Sequence, residues 1–354
     1  MSKNALHLLV YLFLALLLGS CHNKGSKQEK TFTISNTKFS NWPAAFDVKK
    51  AVALEGGDSI LLSFATKCSI TNDGLYYLDY KTHEIYHFDF NGKYINKIGN
   101  VGHGASEYVD IKDFFIDNKN GNVKVLSSNG IVNYDAKTGK FVSRESIKSD
   151  IFTDASSFVY SNNTYTFFCP TYDYTIMEYK NKEFYNLRKS HGFQLACNRF
   201  FLTGEQINVI ADYGDFYIDK LSANHLIRKY NIDLCGKELP KNKKTKDMGQ
   251  FDKIDSSPSY FKCITEALES NKWLYLQVVG PKQTYYQMFI NKENKKYYAG
   301  AVDTNAGLTF VASYNNHFYA LVYPELVSKN SFVRKYIKEK KQSGNPFLFE
   351  IDIK

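Results

Sequence analysis

The 354-residue chain carries 45 Lys and Arg against 36 Asp and Glu, a formal charge of +9. Aromatic side chains make up 16% of it and prolines number only seven, a composition that suits many short strands. Its six cysteines show no CxxC and no Cys/His metal spacing, which excludes a zinc-ribbon framework.

In chain order the first element is a targeting segment. Lys3 precedes an apolar run, Ala5 to Leu18, that is short for a membrane span. The run ends in Leu18, Gly19, Ser20 and Cys21, which resembles a bacterial lipobox. Residues 1–20 are therefore predicted to be a lipoprotein signal peptide, with Cys21 acylated as the first residue of the mature chain. Lipid chains there would hold the protein on a membrane without spanning it. Residues 21–43, opening on the polar stretch "HNKGSKQEKT", are predicted to be a lipidated N-terminus and flexible tether. No acidic cluster follows Cys21, which favours the periplasmic face of the outer membrane over the cell surface. An exported protein has little access to nucleic acid, so none is expected as a partner.

From residue 44 a repeat takes over. A polar turn followed by an aromatic and β-branched strand recurs, with Leu75, Val123, Tyr165, Ile207, Trp273 and Phe318 as first strand residues. Their spacings are 48, 42, 42, 66 and 45. An apolar segment precedes each turn, such as "DFFID" (113–117) and "SFVYS" (157–161), so each turn centres a hairpin. A third and fourth strand follow. Six four-stranded antiparallel units of this length predict an all-β, six-bladed propeller over 44–354. The last strand, "NPFLFEIDIK" (345–354), is third in its blade, so a strand within 44–54 should close the ring.

Two segments interrupt the period. Residues 235–258 are hydrophilic and basic and read as a solvated loop between blades four and five. Residues 325–341 read as an amphipathic helix with Phe332, Val333, Tyr336 and Ile337 on one side. Its expected role is to cap one propeller face, with contact to a membrane as the sharper alternative.

The stretch "LEGGDSILLSF…YYLDYKTHEIYHFDFNGKYINKIGNVGHGASEYVDIKDFFID" resembles the opening of the bacterial 6-bladed β-propeller lipoproteins, which are similar to NHL-type propellers. Those carry a G-x-G-P-G-E-Y turn between the first two blades. Gly102, His103, Gly104, Glu107 and Tyr108 match it, while Ala105 and Ser106 replace the Pro and Gly. The resemblance implies the same fold and no defined reaction, since NHL-type propellers include both binding modules and lyases.

Candidate site residues are few. A strand rather than a helix follows the glycine-rich turn, so it is not a phosphate cradle. Glu107 and Tyr108 are placed near the channel mouth, to bond the neighbouring blade or to line a ligand site. His103 is a polar turn residue or a ligand. Tyr172, Tyr174, Tyr285 and Tyr286 sit near loop tips, where tyrosines stack on sugars or anchor peptides. His83 and His87 would lie ~13 Å apart on a strand, too far for one metal. Asp113 and Asp117 flank an inner strand, and Asp212, Asp215 and Asp219 cluster around blade four; carboxylates at channel mouths bind calcium or act as bases, and beside turns they cap or solvate them. No catalytic motif appears, and one disulfide, Cys235 to Cys263, is compatible with the cysteine count.

These features predict a lipid-anchored, monomeric binding module for a protein, peptide or glycan, with no cofactor. The alternative is a lyase- or lactonase-like enzyme with calcium or another divalent cation at the channel mouth.

Overall fold

The polar turns of the repeat fold as hairpins. Asn162 and Asn163 (φ 49° and 58°) and Asn315 and Asn316 (φ 48° and 69°) all adopt the left-handed conformation that a two-residue turn of this kind requires. The structure, a computed structural model, describes residues 29–56, 60–145, 147, 150–195, 197–337 and 344–354. The predicted signal peptide and Cys21 lie outside the described residues.

Six antiparallel blades follow, as the repeat predicts. Blades 1 to 5 take residues 65–98, 113–145, 157–189, 200–233 and 263–301. Blade 6 takes Leu308–Tyr314, His317–Val322 and Phe347–Ile353 and is completed by Phe46–Ala53 from the N-terminal end. That closing pair runs from Phe46 opposite Ile353 to Ala53 opposite Phe347, inside the window expected from the sequence. The first strand of each blade touches the first strands of both neighbours, which closes an inner ring. Apolar side chains from adjacent blades fill the space between sheets. Tyr76, Leu78, Phe114, Val123 and Val125 do this between blades 1 and 2. Tyr275, Phe289, Phe310 and Phe318 do so between blades 5 and 6, with mostly edge-on or tilted rings.

Residues 30–43 are not a free tether. Lys30–Thr33 add a fifth, parallel strand to the outer edge of blade 4, pairing from Lys30 with Tyr230 to Thr33 with Asp233. The chain then crosses blade 5, where the Phe39 amide donates to the Ala299 carbonyl at 2.9 Å and the Trp42 indole donates to that of Ala301 at 2.9 Å. Phe32 and Ile34 are buried under this strap, an apolar alternation hidden in the polar run "KTFTISN".

The two insertions are also docked. Within 235–258 a helix, Met248–Asp255, is capped by the Asp247 carboxylate and buries Phe251 against Phe193 and Tyr213. Lys244 pairs with Asp215 at 2.6 Å, so the segment is docked there, while Lys237, Lys241, Lys243 and Lys246 stay exposed as expected of a solvated basic run. Of the expected helix 325–341, Arg334–Ile337 is helical, and residues 338–343 lie outside the described residues. Val333 and Ile337 are fully buried, and Phe332 and Tyr336 pack on the same core. That apolar side caps blades 5 and 6 and is not free to meet a membrane.

Gly300 fixes the strap. A Cβ there would lie 1.8 Å from the Phe39 carbonyl oxygen, which is backbone and cannot swing away. Gly300→Ala is expected to lose about 1–3 kcal/mol in urea unfolding and to expose residues 34–42 to protease. Gly249→Ala, on the exposed side of a helix, should cost nothing and serves as control.

Candidate functional site

The residues singled out by motif form corners of the fold. In the glycine-rich turn, a carboxylate oxygen of Glu107 accepts from the Gly104 amide at 2.9 Å. A Cβ on Gly102 would lie 2.0 Å from that oxygen, so a larger residue there would displace the Glu107 side chain from the turn. Arg144, from the outer strand of blade 2, donates to the Glu107 carbonyl and clamps the turn from outside. Tyr108 is fully buried, donates to the Ile98 carbonyl at 3.2 Å and meets Tyr134 edge-on at 5.9 Å. Burial pushes its hydroxyl pKa up, as for a structural tyrosine. His103 is exposed on the turn.

The loop-tip tyrosines are scattered. Tyr172 and Tyr174 are half-buried against the blade 3 core, and the Tyr172 hydroxyl is pushed up to about 12 by burial and by Asp150. Tyr286 packs edge-on against Phe261 at 4.9 Å, whereas Tyr285 is 51% exposed. All seven candidates lie on blade-to-blade connections or second turns of blades, hence on one face of the ring. None of them lines the central cavity.

That cavity, about 660 Å3, runs along the propeller axis. All six first strands or their flanks contribute to its wall, and it opens among the first turns of the blades, at Asn118, Gly204, Asn271, Asn315 and Asn316. Its mouth is therefore on the face opposite the predicted residues.

Three of the six inner strands are bulged. The register slips between Ala65 and Lys67 in blade 1, between Ile264 and Glu266 in blade 5, and between Phe310 and Ala312 in blade 6. A bulge re-aims the side chains beside it. Here two of the three are followed at once by a charged residue on the cavity wall, Lys67 and Glu266.

The two charges differ in how they are compensated. The Lys67 ammonium lies 2.6 Å from Asp113 and donates to the Phe114 carbonyl at 2.9 Å. The other Asp113 oxygen accepts from the Phe158 amide at 2.9 Å, so one carboxylate joins blades 1, 2 and 3. Glu266 has no hydrogen bond or ion pair with any described residue. Burial pushes its carboxyl up to about 7, and the charge of Lys67 opposes this only in part. Its side chain lines the cavity and is half-buried there. Three residues on, Glu269 shows the opposite case. It is held by Lys229 and Lys292 at 2.6 Å each, by Thr203 at 2.9 Å and by the Tyr230 hydroxyl at 2.8 Å. Burial raises its carboxyl, but the two lysines outweigh burial and hold it low.

Among the described residues, no three His, Cys, Asp or Glu side chains lie close enough to share a metal ion. The acids proposed from the sequence are engaged elsewhere. Asp212 and Asp219 pair with Arg188 at 3.1 and 2.9 Å, Asp215 with Lys244, and Asp117 accepts from Asn120 at 2.8 Å. His87 stacks on Tyr76 at 4.1 Å in the core. The donors present do not fit a channel-mouth cation held by three side chains.

The expected Cys235–Cys263 bridge is not formed. All five cysteines in the described residues are free; Cys235 is exposed and Cys263 buried on an inner strand. In the native protein a thiol reagent is expected to label Cys235 quickly and Cys68, Cys169 and Cys263 only on unfolding, because burial pushes those three thiols up.

Glu266 also leaves a stability signature. The folded carboxyl keeps its proton to about 7, whereas an unfolded one releases it near its ordinary 4.5. The folded state is thus penalised increasingly from pH 4.5 to 7 and constantly above. Glu266→Gln is expected to raise stability by about 2 kcal/mol at pH 8, with the gain fading towards pH 4.5. Melting curves of the two proteins across this range measure it, and identical curves at pH 8 would contradict an unpaired charge.

Comparison with other proteins adds the lineage. No curated protein matches the chain. Among solved structures, a Bacteroides fragilis protein bearing the name of an exported protein is similar at 14% identity and a TM-score of 0.74, covering 92% of this chain and 99% of that one. A member of the DUF4221 family from Bacteroides vulgatus is similar at 9% identity and a TM-score of 0.59, covering 88% and 99%. At such identities the likeness concerns the fold. The family defined by the domain of unknown function DUF4934 matches residues 30–352, from the first strand of the strap to the last strand of blade 6. The chain belongs to the DUF4934 family.

Proposed function

We propose that the protein is an exported, lipid-anchored binding module that takes a peptide, protein or glycan ligand into the central channel from the first-turn face, without catalysing a reaction. The observation that carries this reading is the axial cavity of about 660 Å3, a size suited to a small ligand or a chain segment, with an uncompensated carboxylate on its wall. The amide-rich rim of Asn118, Asn271, Asn315 and Asn316 offers hydrogen bonds to either class of ligand. Export and anchoring rest on the Leu18–Cys21 lipobox, and the name of the Bacteroides fragilis neighbour is in keeping with export. The periplasmic face of the outer membrane is the location this reading favours. The resemblance to the 6-bladed β-propeller lipoproteins supports the same assignment.

The channel and the loop-tip tyrosines make opposite demands on one experiment. Ser313 lies on the cavity wall in blade 6, flanked by the core residue Ala312. Ser313→Trp should fill the channel and weaken binding at least tenfold on peptide and glycan arrays. Tyr172→Ala and Tyr285→Ala, on the far face, should leave it unchanged. Retained binding by Ser313→Trp would move the site to the other face.

A further inference from the structure

We infer that the channel receives its ligand through a protonated amine, with the Glu266 carboxylate as its anchor. This deepens the proposed function and rests on the channel being the binding site.

The inference follows from which charges remain after the protein's own pairing is complete. On the cavity wall, Lys67 is spent on Asp113 and on a backbone carbonyl, and Glu269 is spent on two lysines, a threonine and a tyrosine. Glu205, at the mouth, stands 3.9 Å from Lys119. Glu266 alone among these is aimed into the cavity by a bulge without a partner among the described residues. A carboxylate surrounded by protein favours either a proton or a cation brought from outside. Three or more converging donors would suit a metal ion, and they are missing among the described residues. One carboxylate suits an ammonium group, which has three donors and no acceptor. The neighbourhood is compatible with that guest. The Gln277 side-chain oxygen Oε1, on the cavity wall, accepts from the Thr265 hydroxyl at 3.2 Å and is a second acceptor there. Phe115 and Val311 supply apolar wall for a hydrocarbon stem, as a lysine side chain or an alkylamine would need.

The groups facing Glu266 do not compete for the amine. From blade 1 these are Cys68 and the already paired Lys67. Cys197 comes from the segment before blade 4, and Tyr275 from the second strand of blade 5. The thiols and the phenol are pushed up by burial and stay neutral through the physiological range. The site therefore switches with Glu266 alone. Amine binding should weaken below pH 7, approaching about tenfold per pH unit, and should release a proton near pH 6.

The test is isothermal titration of the soluble protein lacking residues 1–21 with matched pairs of probes: n-hexylamine against n-hexanol, N-acetyl-lysine amide against N-acetyl-norleucine amide, and glucosamine against N-acetylglucosamine. The expected result is that amines bind at least tenfold more tightly than their neutral partners. The heat at pH 6 should change with buffer ionisation enthalpy, and both effects should vanish in Glu266→Gln. The lysine and amino-sugar pairs then tell a peptide source from a glycan source. Melting of Glu266→Gln at or above the wild-type temperature certifies its fold. Amine binding unchanged in Glu266→Gln overturns the inference, as does an absence of amine binding at millimolar concentration. Neutral probes that bind as well as amines, and are blocked by Ser313→Trp, overturn it while leaving the channel reading intact. Binding that survives Ser313→Trp removes the channel reading as well.

Discussion

The antiparallel pairing of Phe46–Ala53 with Phe347–Ile353 is the contact on which the ring depends. A propeller has no edge problem only while it is closed, and this pair joins the two ends of the chain in one sheet. The axis depends on that closure, because each inner strand, besides pairing with the second strand of its own blade, packs on the inner strands of both neighbours. Polar staples then register each blade on the next. Asp113 joins blades 1 to 3, and Lys124 of blade 2 meets the Tyr165 hydroxyl of blade 3 at 3.2 Å. Arg188 of blade 3 reaches Asp212 and Asp219, and Thr203 of blade 4 bonds Glu269 of blade 5. The Asn271 amide of blade 5 donates to the Asn316 side-chain oxygen of blade 6 at 3.1 Å. The Tyr323 hydroxyl accepts from the Ala65 amide at 2.9 Å to complete the circuit. Buried ion pairs add little net stability, but each is costly to break on one side, which suits a device that specifies register.

The contrast between Glu266 and Glu269 separates scaffold from site. Both lie on one inner strand and both border the same cavity. Four groups satisfy Glu269, so its charge belongs to the joint between blades 4 and 5. Nothing comparable satisfies Glu266, which is a liability for a protein that binds nothing. The glycine-rich turn has the reverse history. It looks like a ligand loop in sequence, yet its glutamate folds onto its own glycines and its tyrosine disappears into the core. A motif can mark a family through architecture alone.

The sequence made the architecture legible because the turns and the strands obey short-range rules. Paired asparagines announce left-handed turns, and the spacing of Leu75, Val123, Tyr165 and Ile207 counts blades. The strap was hidden because its burial rests on Phe32 and Ile34 alone, set among Thr, Ser and Lys. The site was hidden for a different reason. Lys67 and Glu266 sit in "ATKCSIT" and "CITEALE", where a single charge in an inner strand is a visible anomaly. Reading it needs the two bulges that turn those side chains to the axis, and a bulge breaks the period-two pattern on which strand reading relies.

The strap has a mechanical consequence. The Lys30–Thr33 strand and the Trp42 anchor lie between the chain's N-terminal side and the closing strand. Tension applied from that side first shears four residue pairs along the edge of blade 4, then the contacts across blade 5. Only after both have yielded would force reach Phe46, so the strap insulates the ring from a pull on residue 29.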